Sequence, residues 1–528
     1  MDGISNLIQE VSHHLYWFPI FCFLQRLSLT WKQGTAFDSW GHIFFVDSVR
    51  KSKSGPFGAI HPDVVNGGSF YYPLFSHWLY SFLPANFLVR FNHLLNPALD
   101  ALFLFACISL MRMGNIPDQT IAGCALLYIF TPLCFSKISI GPRVANFTTR
   151  MVSEMFLPLV FLVWFLDLGL LPIAKLLICI ALGATILMSS KFGVQALTFI
   201  VLLVSSLTAD WALALVFILA ILTALIVSRG AFLRNLKEQI DHLNWYFRSV
   251  AQGKLFVANR NSLNLLWAWN KKERLTSNLQ NLIFNWFAKN SLTLLLLKAP
   301  AFVLVIIALI AQLAEGSFST INSLEIVVVS GFAIYLATSF KYLLFLGEAE
   351  RYLTHVAILT CLTLTQFWDF SDPQYEWLMV LLILYGLGYW IVELITFSTL
   401  QPFGTQDHEN ALVTRLNRLT SVRTVLSYPY HVLPPYRVMV ETKHRTFFPI
   451  LASMELKKEL EPFEDYPFPD LSKSEELYER FGVDCLIIAK EDLTERLPQW
   501  KPNANEWETI SLENHPQIMM FLRKIASR

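Results

Sequence analysis

A single carboxylate in the stretch Phe37-Asp38-Ser39-Trp40-Gly41-His42 follows the first apolar run of this chain. Placed there, Asp38 can take a proton from a reacting group, a role worth about 10²–10⁴-fold in rate when the geometry is right. It can equally cap the helix that begins beside it. A second chemical group reads Gly347-Glu348-Ala349-Glu350-Arg351-Tyr352 and sits between two apolar runs. Further cations stand at run ends: Arg143 and Arg150 around Gly141-Pro142, and Lys191 in Ser189-Ser190-Lys191-Phe192-Gly193. Such cations stabilise negative charge on a departing group, and arginine adds a planar, two-pronged geometry. Their stems can run along lipid, so each also serves as an interfacial anchor. Glu348, Tyr352 and His42 complete the set of candidate substrate contacts. A buried glutamate–arginine cluster costs desolvation energy unless it is paired, so Glu348, Glu350 and Arg351 read either as a binding site or as a structural ion pair.

The elements that must hold these residues are membrane spans. The chain is 54% hydrophobic and 15% charged, with mean hydropathy +0.46, far from the quarter of charged residues usual in soluble domains. A span needs about 20 mostly apolar residues. Runs of that kind lie near 13–30, 94–113, 119–136, 151–170, 172–190, 194–209, 211–228, 292–314, 323–346, 352–368 and 376–400. The expected fold is therefore an all-α polytopic membrane protein of about eleven helices, occupying residues 1–400. The first run holds Pro19, Gln25 and Arg26. It shows no charged n-region or small-residue cleavage site of a signal peptide, so it reads as an uncleaved span.

Span parity gathers 31–93, 137–150, 189–193, 229–291, the 347–352 junction and the tail on one face. The opposite face receives only short connectors, which marks one active face. In the first loop, residues 39–50 form an amphipathic helix expected to lie at the interface, with Trp40, Ile43, Phe44, Val46 and Val49 on its apolar side. The loop closes with Tyr71-Tyr72-Pro73-Leu74. The central segment 229–291 mixes ten cations, from Arg229 to Lys289, with aromatic residues and three acids. It reads as interfacial helices drawn to anionic membrane lipids. Tethered between spans, it is a poor candidate for nucleic acid. His42, Asp47, His61 and Asp63 could hold a divalent metal, although their spacing is not diagnostic. No cysteine spacing resembles a metal site or a disulfide framework.

An acidic residue just after span one, a long first loop with interfacial helices and a closing aromatic-Pro-Leu motif together resemble the GT-C superfamily of integral-membrane glycosyltransferases. These include protein O-mannosyltransferases and aminoarabinose transferases. The resemblance implies an inverting enzyme that moves a sugar from a polyprenyl-phosphate donor to a lipid, glycan or protein acceptor. It places Asp38 at the family's general-base position and the arginines at the donor phosphate. Where some relatives carry a second acid after the first, this chain has Ser39. The resemblance also implies a plasma (inner) membrane protein with an extracytoplasmic active face, against the positive-inside rule, which long loops follow weakly.

The tail, 401–528, differs in material. Arg423–Tyr428, Val483–Ile488, Trp507–Leu512 and Ile518–Leu522 read as strands and Ser474–Phe481 as a helix, giving a small soluble α/β domain. Two other classes share the hydropathy. A transporter or flippase would show internal repeats and helices broken at mid-membrane, and no repeat is evident here. A glycan polymerase or ligase would carry its main basic loop late in the chain.

Overall fold

The structure is a computed structural model. It describes residues 14–31, 37–52, 71–136, 147–251, 290–315, 321–367, 373–399, 407–447, 461–465, 468–498, 500–512 and 514–524, with 35, 59, 61, 63–65 and 263 between them. Arg143 and residues 252–262 and 264–289 of the central segment lie outside the described residues. The chain divides into two compact units. One comprises 1–32, 93–232 and 243–401, and the other comprises 33–92, 233–242 and 402–528.

The first unit is helical. Every apolar run expected to span is represented by a helix, but many of these helices are shorter than the runs. Four are long and apolar enough to cross a membrane: Asn86–Met113, Pro172–Ser189, Lys191–Thr208 and Glu376–Thr396. Two bent pairs raise the number to six if each is one span. Asp118–Phe130, Ser323–Thr338 and Ala357–Phe367 are apolar but short. The expected run 323–346 stops being α-helical at Thr338 and continues as the 3₁₀ helix Lys341–Leu346. Local sequence explains the breaks. Ala299 leaves helical geometry and Pro300, whose missing N–H suits a first turn, starts a new helix bent by 99° from Ser291–Lys298. Asp210 and Asn322 cap the helices that follow them, and Asn322 forms a full capping box with Glu325.

A buried charge pair fixes the start of this unit. Arg26 and Asp100 are fully buried, with Arg26 Nε 2.8 Å from Asp100 Oδ2. Tyr128 donates to the other carboxylate oxygen, Arg26 also donates to the Ile129 carbonyl, and its guanidinium lies 5.5 Å from the Phe135 ring. The arginine that weakens the first apolar run in sequence is thus compensated from three later helices.

The second unit is built on a five-stranded mixed sheet. Its strands are β1 (Thr424–Tyr428), β2 (Arg445–Thr446), β5 (Cys485–Ala489), β6 (Trp507–Ser511) and β7 (Ile518–Arg523), in the order β2-β1-β5-β7-β6. A short antiparallel pair joins β3 (Glu464–Asp465) to β4 (Phe468–Pro469). β1 pairs in parallel with β2 and β5, whereas β7 runs antiparallel to β5 and β6. Buried residues clothe both faces, for example Leu426, Ile488 and Phe521 in one cluster and Val425, Ile487 and Met520 in the other. That alternation is what a strand's two-residue period produces. The first loop joins this sheet, since Val64 bridges in parallel to Thr446 at the β2 edge.

The helix expected at 39–50 runs from Phe37 to Ser52. Its apolar side does not lie bare for lipid, contrary to the interfacial expectation. Trp40, Ile43, Phe44, Val46 and Val49 are all buried, and Phe44 packs on the ring of Tyr436 with centroids 5.3 Å apart. The cause is steric. Gly41 carries no side chain, and a Cβ there would stand 3.2 Å from the Tyr436 ring, so the helix Pro435–Glu441 can approach closely.

Replacing one member of the Arg26–Asp100 pair leaves an uncompensated buried charge. Asp100→Asn is expected to lower stability by about 3–5 kcal/mol, with most of the loss recovered in the double variant Arg26→Met, Asp100→Leu. Thermal unfolding in one detergent measures both. A double variant no better than the single one contradicts this account.

Candidate functional site

In the second unit, Asp38 lies in the first turn of the helix Phe37–Ser52 and is exposed. Among the described residues its side chain makes no hydrogen bond or ion pair, so it does not cap the backbone of its own helix there. His42 is half-buried one turn further along, and residues four apart share a helix face. Its Nδ1 is 2.9 Å from Nε2 of His77, which is fully buried. Burial, followed by the nearby His42, holds the His77 imidazole well below its ordinary pKa and therefore neutral. The rings of Tyr72 and Phe45 stand around this pair.

One turn beyond His42, Asp47 gathers its own partners. Lys51 Nζ lies 2.8 Å from its carboxylate and His61 Nε2 3.3 Å. Burial pushes the Asp47 carboxyl up, but the hydrogen bonds from His61 and Lys51 and the Lys51 charge outweigh it, and the net shift is downward. The four residues weighed as metal ligands are therefore divided. His42 turns to His77, while Asp47, His61 and Asp63 surround the ammonium of Lys51. Among the described residues no three His, Cys, Asp or Glu side chains are arranged to hold a metal ion. A cation would compete with Lys51 for the same oxygens, so these residues do not fit a divalent metal.

In the first unit the structure brings Arg351 and Tyr352 to the ring of Phe192, which follows Lys191. Arg351 forms an ion pair with Glu348 and its guanidinium lies 5.4 Å from the centre of the Phe192 ring. Tyr352 is buried against Phe192 and donates to Gln195 Oε1 at 3.2 Å. Gly347 makes the approach possible. It has φ +119°, which favours glycine, and a Cβ there would stand 3.1 Å from Phe192. Ser190 caps the helix that Lys191 begins by accepting from Gly193 N–H. Arg150 opens the helix Arg150–Phe165 and lies a loose 3.9 Å from Glu154. Ser153, on that same helix, meets Ser190 at 3.5 Å and His355 at 3.4 Å.

His355 was not singled out in the sequence, because it stands in an apolar run. It is fully buried and its Nδ1 meets the Arg351 carbonyl at 2.6 Å. Its spacing of four residues after Arg351 was the available signal. The partnership of His77 with His42 joins residues 35 positions apart, and no local pattern in the sequence announces it. The ion-pair alternative for Glu348 and Arg351 also holds, since the two are paired. Arg351 still retains Nε without a hydrogen-bond partner among the described residues.

No family model and no curated protein matches this chain. Solved structures do. The chain is similar to ArnT from Cupriavidus metallidurans bound to undecaprenyl phosphate, with TM-score 0.53 and 12% identity over 99% of this chain and 98% of that one. The apo state of the same protein gives TM-score 0.53 and 11% identity over 98% of each chain. An oligosaccharyltransferase from Archaeoglobus fulgidus, tethered with an acceptor peptide containing the NVT sequon, gives TM-score 0.56 and 13% identity. That match covers 90% of this chain and 69% of the other. At such identities the likeness establishes a shared fold.

The lowered pKa of Asp47 carries a sign. A carboxyl depressed in the folded state contributes stability above its unfolded pKa near 3.8, and that contribution fades as pH falls through the folded value. Asp47→Asn is therefore expected to be less stable than the parent at pH 6. The gap should be under about 1 kcal/mol because Lys51 is partly exposed, and it should close as pH falls through the lowered folded value. Thermal unfolding across that pH range measures it. A gap that persists unchanged in acid contradicts the assignment.

Proposed function

Because this chain has the GT-C fold of membrane glycosyltransferases, we propose that it transfers a sugar from a polyprenyl-phosphate donor to a lipid, glycan or protein acceptor. The observation that carries this reading is the end-to-end match to ArnT, in which first loop, helices and tail are all covered. One neighbour binds undecaprenyl phosphate and another holds an acceptor peptide, which supports a carrier-linked donor and a nucleophilic acceptor. The reading places the active face on the extracytoplasmic side of a plasma membrane.

The chemistry assigns a role to each group. Asp38 takes the acceptor's proton as its oxygen or nitrogen attacks the anomeric carbon from the face opposite the phosphate, which inverts the configuration. An exposed carboxylate with no partner among the described residues is available for that step. Arg351, Lys191 and Arg150 supply cations for the carrier phosphate, Glu348 orients Arg351 as its ion-pair partner, and Tyr352 backs the Phe192 ring on which that guanidinium lies. An arginine whose charge is partly met by Glu348, with Nε donor capacity to spare, suits a ligand that must bind and then depart. Arg143 belongs to the same proposal by its place in the sequence.

Asp38→Asn tests this role at nearly constant size. Asparagine is nearly the same size and caps a helix about as well as aspartate, but it does not accept the proton. The variant is expected to fold, to bind donor and to transfer sugar at least ~10²-fold more slowly. Thermal stability and transfer rate together decide the matter. Near-parental transfer removes Asp38 from the site.

A further inference from the structure

Three cation-bearing positions of the first unit stand on separate helices, yet one buried chain of contacts joins their backbones. Arg150 is the first residue of the helix Arg150–Phe165, Lys191 the first of Lys191–Thr208 and Arg351 the second of Glu350–Thr354. His355 directly follows the last of these. It is fully buried, with Nδ1 2.6 Å from the Arg351 carbonyl. A carbonyl has no proton to give, so Nδ1–H donates, and in the neutral ring Nε2 accepts. That Nε2 lies 3.4 Å from Ser153 Oγ. The Ser153 hydroxyl is in turn 2.8 Å from the Arg150 carbonyl and 3.5 Å from the hydroxyl of Ser190, the residue before Lys191. One imidazole and one hydroxyl thus bridge the backbones of Arg351 and Arg150, with the start of the Lys191 helix beside them.

The end bonds of this chain are short and the middle contacts are long, so packing must hold the middle. Gly193 supplies it. A Cβ there would stand 2.6 Å from Ser153 Cβ, closer than real side chains come, so the Lys191 helix approaches the Arg150 helix as no other residue would allow. Phe192 ties the same helix to the third element. Its ring lies 5.4 Å from the Arg351 guanidinium, 4.8 Å from the Tyr352 ring and 5.8 Å from the His355 ring. Ser153 and Ser190 are buried as completely as His355. Apolar side chains would pack these helices without burying an imidazole and two hydroxyls. Polar groups in such a place mark a position that function requires to be fixed.

We propose that His355 is the positioning residue of the carrier-phosphate site. Through Ser153 it locks the helix starts that carry Arg150, Lys191 and Arg351 in one register, so that their cations meet the same phosphate group. This rests on the glycosyltransferase reading, in which that phosphate belongs to a polyprenyl-phosphate donor. His355 is buried and acts through the Arg351 backbone, without touching donor or acceptor. Glu348 pairs with Arg351 and Glu154 lies 3.9 Å from Arg150, so these cations are partly balanced before any phosphate arrives. Their gain on binding comes from reaching it together. Elements fixed beforehand spare the complex the cost of ordering them. Loss of the lock leaves every charge in place but lets the three positions drift, and about 1 Å of misplacement is enough to cost about 10²-fold.

Binding of undecaprenyl phosphate to the full-length protein in lipid nanodiscs tests this without turnover. His355→Phe keeps a ring and removes both nitrogens, whereas Ser153→Ala removes only the bridging hydroxyl. Each is expected to weaken binding at least about tenfold. In transfer from polyprenyl-phosphate sugars the same loss should fall on the donor KM, with the acceptor KM unchanged. A double-variant cycle with Arg351→Ala separates positioning from general support of the fold. Because His355 acts through Arg351, His355→Phe should add little once Arg351 is gone. If His355→Phe does not fold, the Ser153→Ala cycle decides in its place. Parental affinity in the folded variants, or losses that add fully in the cycle, overturn the proposal and leave the glycosyltransferase reading in place. A variant with a lower melting temperature but parental affinity does the same, since that is the mark of a purely structural contact. A parent that binds undecaprenyl phosphate no better than phosphatidylglycerol removes the carrier-phosphate reading, and the role of His355 with it.

Discussion

One guanidinium anchors the helix on which Asp38 and His42 stand. Arg437 is 5% exposed and is spent entirely on neighbours. It donates to Glu409 at 2.8 Å, to Glu441 at 2.6 Å and to Asn410, and its plane lies 5.2 Å from the ring of Trp40. A charge buried this deeply is tolerated only because its partners are complete. Burial raises the Glu409 carboxyl even with Arg437 beside it, so both partners depend on each other. The helix Phe37–Ser52 is thereby tied to residues almost four hundred positions later. The tail is part of what shapes the first loop.

This anchoring explains why the same helix can carry a bare carboxylate. One side is fully occupied by Trp40, Phe44, Tyr436 and the close approach at Gly41. The other presents Asp38 and, one turn on, His42. A side chain with a catalytic task works best on a rigid element whose back is packed. The Arg26–Asp100 pair plays the matching role in the helical unit, where an unpaired charge would be costly. The Phe192 cluster combines both kinds of behaviour, with buried Tyr352 and His355 beneath a partly exposed Arg351.

Much of this was legible in the sequence because it rests on local pattern. The tail's strands were placed at 423–428, 483–488, 507–512 and 518–522, and form at Thr424–Tyr428, Cys485–Ala489, Trp507–Ser511 and Ile518–Arg523. Ser474–Phe481 is the helix anticipated there. The grouping of Glu348, Arg351 and Tyr352 is a single junction and could be read directly. Apolar periodicity found each helical run but overstated many lengths, because Pro300 and the turn after Thr338 break runs that composition leaves whole. The apolar side of residues 39–50 was visible, but its cover was not, since Tyr436 lies far away in sequence. For the same reason the His42–His77 contact and the Asp100 partner of Arg26 were out of reach. Pairings between distant side chains leave no local period to detect.

The proposal is that this chain transfers a sugar from a lipid-linked donor. Its most direct test incubates the purified full-length protein in nanodiscs with a panel of polyprenyl-phosphate sugars and candidate acceptors. Mass spectrometry then follows the free polyprenyl phosphate and the modified acceptor. The account predicts that at least one donor releases polyprenyl phosphate in step with acceptor glycosylation, with inverted anomeric configuration in the product. Stable donors across the whole panel, or a product of retained configuration, would contradict it.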